Sequence, residues 1–326
     1  MKQPIHAIAV VGPTASGKTA QAIALATRLS GEIVSADSMQ IYREMEIGTA
    51  KPTAEERRRA VHHLIDFLPP NAPYSAADYA VDALRAAREI HAHGHLPVFS
   101  GGTGLYLEAV RSGRHAAMPD VKNEAFRASC LEKAESEDGK DALWQELYAV
   151  DPISAAATHK NNVRRVIRAL EIYKETGEAK SVWDARSKQE SPDITLLPIL
   201  LDFHDRALLY ERIERRVDAM LDAGLIAETE RLYRDGHLLP GTTAAQAIAY
   251  KELLPCIRGE MSLADAVAAL KTATRRYAKR QLTWFHAMKD AVTVYIDGED
   301  GNMRNADEVT NEMLALAEAF LKNTAI

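Results

Sequence analysis

The chain has 326 residues, 47% hydrophobic and 26% charged, with a formal net charge of −6. This is the make-up of an ordinary soluble globular protein, and its length calls for a large α/β unit plus an insertion or second domain. The acidic balance argues against wholesale nucleic-acid binding but leaves local basic patches open.

The first element reads as a buried strand over 7–11, Ala-Ile-Ala-Val-Val. GPTASGKT follows, and a helix is expected from Thr19 to Leu29, closed by Gly31. Glu32–Ser35 reads as a second strand that delivers Asp37 at its carboxyl end. Ser75–Ala92 is helical with Ser75 as N-cap, and Leu96–Ser100 is a third strand running into Gly101-Gly102-Thr103-Gly104. Strand and helix in alternation imply a parallel sheet with helices on its faces.

From Asn123 to Arg186 there is helical periodicity with dense charge and no strand pattern, and Leu196–Leu201 looks like a returning buried strand. One or two helices are expected over Asp205–Arg234, with Leu209, Ile213, Val217, Met220 and Leu221 at helical spacing. A long helix over 262–287 and a last strand over Val292–Ile296 complete the chain. The expected fold is α/β: a P-loop NTPase-like parallel core over 1–111 and 196–326, with an all-helical insertion over 112–195. No apolar run approaches the ~18 residues of a membrane span, and the first residues lack the apolar stretch of a signal peptide. Cys130 and Cys256 have no partner spacing, so neither a disulfide framework nor a zinc site is expected, and a cytoplasmic location fits.

Gly12, Pro13, Thr14, Ala15, Ser16, Gly17, Lys18 and Thr19 match G-x-x-x-x-G-K-[ST], a motif usually read as an ATP or GTP site. The physics behind it is anion binding. Loop amides and a helix N-terminus face the phosphate, Lys18 adds a point charge, and the Thr19 hydroxyl suits Mg²⁺. An acid is missing where Leu96-Pro97-Val98-Phe99 runs into Ser100. Asp37 supplies the carboxylate from an earlier strand instead, because strand carboxyl ends gather at one edge of a parallel sheet. At this point a small-molecule kinase is still an open reading.

Further stretches narrow the choice. Residues 37–52 read DSMQIYREMEIGTAKP, 62–66 HHLID, 101–106 GGTGLY and 279–285 KRQLTWF. Together with the phosphate loop, from about residue 8 to about residue 290, they resemble the tRNA dimethylallyltransferase (tRNA isopentenyltransferase) family, bacterial type.

The resemblance implies that the loop holds the diphosphate of dimethylallyl diphosphate. The prenyl group then passes to N6 of the adenosine 3′ of the anticodon, in tRNAs that read codons beginning with U. Asp37 matches the family's general base. Lys18, Thr19 with Mg²⁺, and Arg216 of the pattern Arg212-Ile213-x-x-Arg216-x-x-x-Met220 support the leaving diphosphate. Asp37, Ser38, Met39 and Gln40 would touch a splayed-out adenine, and Thr103 would line the site. The insertion is expected to close on the anticodon stem.

Two basic clusters are the expected tRNA contacts. Arg164, Arg165, Val166, Ile167 and Arg168 lie in the insertion, with Arg127 counted beside them. Lys271, Arg275, Arg276, Lys279 and Arg280 fall on the late helix, and Lys251 is added from an earlier one. Trp284 and Phe285 are expected in the core. Two positions depart from the family: Ala249 stands where relatives carry Gly in I-G-Y-[KR], and His286 stands where Arg is usual. An Ala at a site needing positive φ would be strained. A monomer acting on tRNA and dimethylallyl diphosphate, with no membrane partner, is the resulting expectation. The rivals are an adenylate isopentenyltransferase acting on AMP or ADP and a P-loop phosphotransferase.

Overall fold

The computed structural model describes residues 4–112, 121–187 and 193–324. They form two compact units, one from the described residues up to Arg111 together with those from Asp193 on, the other from those between.

The first unit is built on a six-stranded parallel sheet of order β3-β2-β4-β1-β5-β6. The strands are β1 Ile5–Val11, β2 Gly31–Ser35, β3 His62–His63, β4 Leu96–Gly101, β5 Ile194–Asp202 and β6 Val292–Tyr295. β1 is central and apolar throughout its second half, as a strand covered on both faces must be. Val11 pairs with Gly101 on one side and Leu200 on the other, so the strand ends that carry the loops lie level. Pro198 sits inside β5 because β6 begins to pair only at Ile199, which leaves that stretch an edge without a second ladder.

The helix after the phosphate loop, α1, runs Lys18–Arg28. Its end is turned by Ser30 at φ 50°, not by Gly31, which opens β2. The helix Ala76–Ala92 starts as expected at a Ser75 capping box. β3 carried no strand signal in the sequence, because two residues are too short for a period. β5 starts at Ile194, two residues before the expected Leu196. Asp205–Arg234 resolves into two helices, Arg206–Asp222 and Leu225–Arg234, separated at Gly224. The late helix runs Leu263–His286 behind a Ser262 N-cap. A last helix, Ala306–Thr324, lies beyond the strand expected over Val292–Ile296, the last element the sequence places individually among its C-terminal helices and strands.

The second unit is helical, with Glu124–Lys133, Glu137–Val150, Pro152–Ala156, Val163–Thr176 and Lys180–Ser187 around Leu143, Leu147 and Leu170. Val166 and Ile167 belong to that core, 1% and 4% exposed, and so drop out of the RNA-facing set. They sit between Arg165 and Arg168 in sequence, but the 3.6-residue period turns them inward. Among the described residues no helix is long and apolar enough to cross a membrane.

Candidate active site

The loop Gly12–Thr19 leaves the central strand and feeds straight into α1, so its amides and the helix N-terminus face the same space. That space is a cavity of about 850 Å³, lined by Lys18, Thr19, Asp37, Arg216 and Arg280 together with the 46–50 turn. Lys18 Nζ donates to the Pro13 carbonyl at 3.2 Å. Burial, then the nearby Arg216 charge, pull the Lys18 pKa down to about 8 while Asp37 opposes them. Arg216 is likewise lowered by burial, with Asp37 and Glu56 opposing. The lining as a whole sets Lys18, Lys51, Arg57, Arg216 and Arg280 against Asp37, Glu46 and Glu56, an excess of positive charge that a diphosphate would complete.

Arg212, one turn before Arg216, points differently. Its Nε donates to the Ala15 carbonyl at 2.8 Å and holds the loop itself. Asp37 closes a tight turn, its Oδ1 accepting the amides of Met39 at 2.9 Å and Gln40 at 3.4 Å. That leaves Oδ2 for a proton. Thr103 Oγ1 accepts the Ser38 amide at 3.1 Å and donates to Ser38 Oγ at 3.3 Å. Its hydroxyl therefore braces the Asp37 turn. Thr19, Ser35 and Asp37 all line the cavity, and Ser35 Oγ is buried without a partner among the described residues. Such oxygen donors suit a hard cation.

Gln281 is the site residue that sequence reasoning passed over. Its Oε1 accepts the Thr14 amide at 2.8 Å and its Nε2 donates to the Gly102 carbonyl at 3.0 Å. A Cβ at Gly102 would lie 2.0 Å from Gln281 Nε2, so a larger residue there would displace this amide from its carbonyl. The signal was present: Gln281 is a polar residue on the buried stripe of Ala278, Leu282 and Phe285. A second polar hub stands nearby. The buried Lys51 Nζ donates at 2.8 Å each to the Tyr42 carbonyl, Glu46 and Asp66, folding the GTAKP stretch onto the cavity.

The basic residues divide. Lys271 pairs with Asp218 at 2.6 Å and Arg275 with Glu214, so both brace neighbouring helices. Arg276, Lys279 and Arg280 are exposed on the same helix, as is Lys251 on its own. In the helical unit Arg164 and Arg165 are exposed, whereas Arg127 and Arg168 both bond the fully buried Glu171. Phe285 is core, but Trp284 is 38% exposed, contrary to expectation. It precedes Phe285 by one position on the helix and cannot share its face. Ala249 takes φ 90°, ψ −61°, the strained conformation expected of a non-glycine residue here. His286 Nε2 meets Asp202 at 2.6 Å, and Arg206 meets the same carboxylate at 2.7 Å.

A parallel sheet with a phosphate loop, cations starved of an anion and a carboxylate beside them defines a P-loop-type α/β protein built to handle a diphosphate group. Residues 40–288 match the IPP transferase family model. The chain is 45% identical to a tRNA dimethylallyltransferase of Carboxydothermus hydrogenoformans, over 85% of this chain and 88% of that one. Its identity to the tRNA dimethylallyltransferase of Halalkalibacterium halodurans is 46%, over 85% and 87%. The crystal structure of the full-length tRNA isopentenylpyrophosphate transferase from Bacillus halodurans superposes with a TM-score of 0.73 at 40% identity, covering 99% of this chain and 98% of that one. A eukaryotic dimethylallyltransferase acting on tRNA gives 0.81 at 28% identity, covering 98% and 80%. The chain belongs to the IPP transferase family.

Proposed function

We propose that the protein transfers the dimethylallyl group of dimethylallyl diphosphate to N6 of the adenosine 3′ of the anticodon in tRNA and releases diphosphate. The observation that carries this reading is the placement of Asp37 in one cavity with Lys18 and Arg216. A leaving diphosphate and the proton of an attacking amine would find their partners side by side.

In the transfer the N6–C1 bond forms as the C1–O bond to diphosphate breaks, and the departing oxygen keeps the electron pair. Lys18, Arg216 and the loop amides meet the charge that grows on that oxygen. Asp37 Oδ2 takes the N6 proton, which matters because the amine's lone pair is delocalised into the ring. Mg²⁺ bound at Thr19, with Ser35 and Asp37 close by, would supply further charge neutralisation to the diphosphate. Arg212 and Gln281 fix the loop. Thr103 and Ser38 fix Asp37.

On the surface, Lys251, Arg276, Lys279 and Arg280 would hold tRNA phosphates for the first unit, and Arg164 and Arg165 for the helical one. A monomer in the cytoplasm is the corresponding working state. Incubation with Mg²⁺, labelled dimethylallyl diphosphate and unmodified tRNA, with AMP and ATP in parallel, tests the reading. Label should appear in tRNA and disappear when the adenosine 3′ of the anticodon is replaced. Label in AMP would make this an adenylate prenyltransferase, and ATP turnover without prenyl transfer would make it a phosphotransferase.

A further inference from the structure

Glu228, on the helix Leu225–Arg234, is 8% exposed, and its charge is met by N–H and O–H donors. Its Oε2 accepts the amides of Glu46 at 3.1 Å and Ile47 at 2.9 Å. Its Oε1 accepts the Gly48 amide at 2.9 Å and the Tyr250 hydroxyl at 2.7 Å. One carboxylate therefore joins the 46–48 turn to the corner where the strained Ala249 passes into the helix Tyr250–Ile257. Gly48 permits the approach, because a Cβ there would fall 2.5 Å from Tyr250 Cζ. Both joined segments line the cavity.

The chain of bonds continues inward. Gln40 Nε2 donates to the carbonyls of Thr49 at 3.2 Å and Ala50 at 3.1 Å, and the Gln40 amide donates to Asp37 Oδ1. The phosphate loop takes no part in it.

We propose that Glu228 is a positioning residue for the transfer step: it holds the 46–48 turn and the Tyr250 corner as one wall, and through Gln40 that wall keeps Asp37 aimed at the acceptor amine. The proposal rests on the transfer reaction given above. A glutamine cannot replace it, since only one of its two ends accepts, and its amino group would face backbone donors.

The test compares Glu228→Gln and Tyr250→Phe with the wild-type chain in three measurements: prenyl transfer to tRNA, pyrophosphate binding by calorimetry, and amide hydrogen exchange at 46–48. Glu228→Gln should lose about 10–100-fold in kcat, as a small misplacement of a reacting group does. Pyrophosphate affinity should hold within about twofold while exchange at 46–48 accelerates. Tyr250→Phe, which removes one of the four donors, should lose less than Glu228→Gln. Wild-type kcat in Glu228→Gln, or loss of pyrophosphate binding in step with activity, would overturn the proposal. If the wild-type chain prenylates no tRNA, the transfer reading fails by itself, and unchanged exchange at 46–48 in Glu228→Gln would then overturn the wall as well.

Discussion

Arg216 stands near enough to Lys18 for its charge to add to burial in lowering the lysine to a pKa of about 8. The negative charge of a diphosphate bound between them would outweigh both pressures, so binding should pull a proton onto Lys18 when the pH is near or above 8. Calorimetry of pyrophosphate binding in buffers of different ionisation enthalpy should show proton uptake at about pH 8.5 and little at pH 6. Affinity should fall as pH rises through the free-enzyme value. Uptake that does not change between the two pH values would remove Lys18 from the anion site.

Arg216→Ala should lower turnover by about 10²–10³-fold through lost stabilisation of the leaving group. It should also shift the pH dependence of pyrophosphate binding upward, because one of the charges depressing Lys18 is gone. Arg212→Ala should instead act on the loop it braces, raising KM for the diphosphate substrate more than it lowers kcat. Steady-state kinetics of the two variants separate the roles.

Gln281→Leu leaves the Thr14 amide and the Gly102 carbonyl without their partner. The cost of such unpaired groups is about 1–3 kcal/mol. Pyrophosphate affinity should drop about tenfold, with a lower Tm in a thermal melt. An affinity equal to wild type would mean that the loop holds its shape without this bridge.

Ala249 at φ 90° carries strain of about 1–3 kcal/mol that glycine would not. Ala249→Gly gives back part of this gain through chain entropy and a lost methyl. A net stabilisation of about 0.5–1 kcal/mol in urea unfolding is expected. A lower midpoint would show that the buried methyl outweighs the backbone.

Arg127→Ala should lower Tm, since the buried Glu171 loses a partner. The double change Arg164→Ala and Arg165→Ala should leave Tm alone, weaken tRNA binding and flatten its salt dependence by about one to two counterions. Filter binding over a salt series reads both effects.

Much of the site was legible because its residues are consecutive. The phosphate loop, Asp37 at a strand end and the spacing of Arg212 and Arg216 all follow from local pattern. Ala249 was legible as a conflict, a side chain where positive φ was needed. Gln281 and Glu228 were harder to see, because each acts on segments more than 170 positions away, joined only by the folded chain. Val166 and Ile167 were misplaced by reading a basic run as one surface, when helical phase splits it into an exposed and a buried half.

The central claim is that Asp37 removes the proton while Lys18 and Arg216 hold the diphosphate. Single-turnover transfer by Asp37→Asn, with pyrophosphate binding measured on the same preparation, tests it most directly. A loss of about 10²–10⁴-fold in the rate of prenyl transfer is expected, with pyrophosphate affinity largely kept. Transfer at the wild-type rate would contradict it.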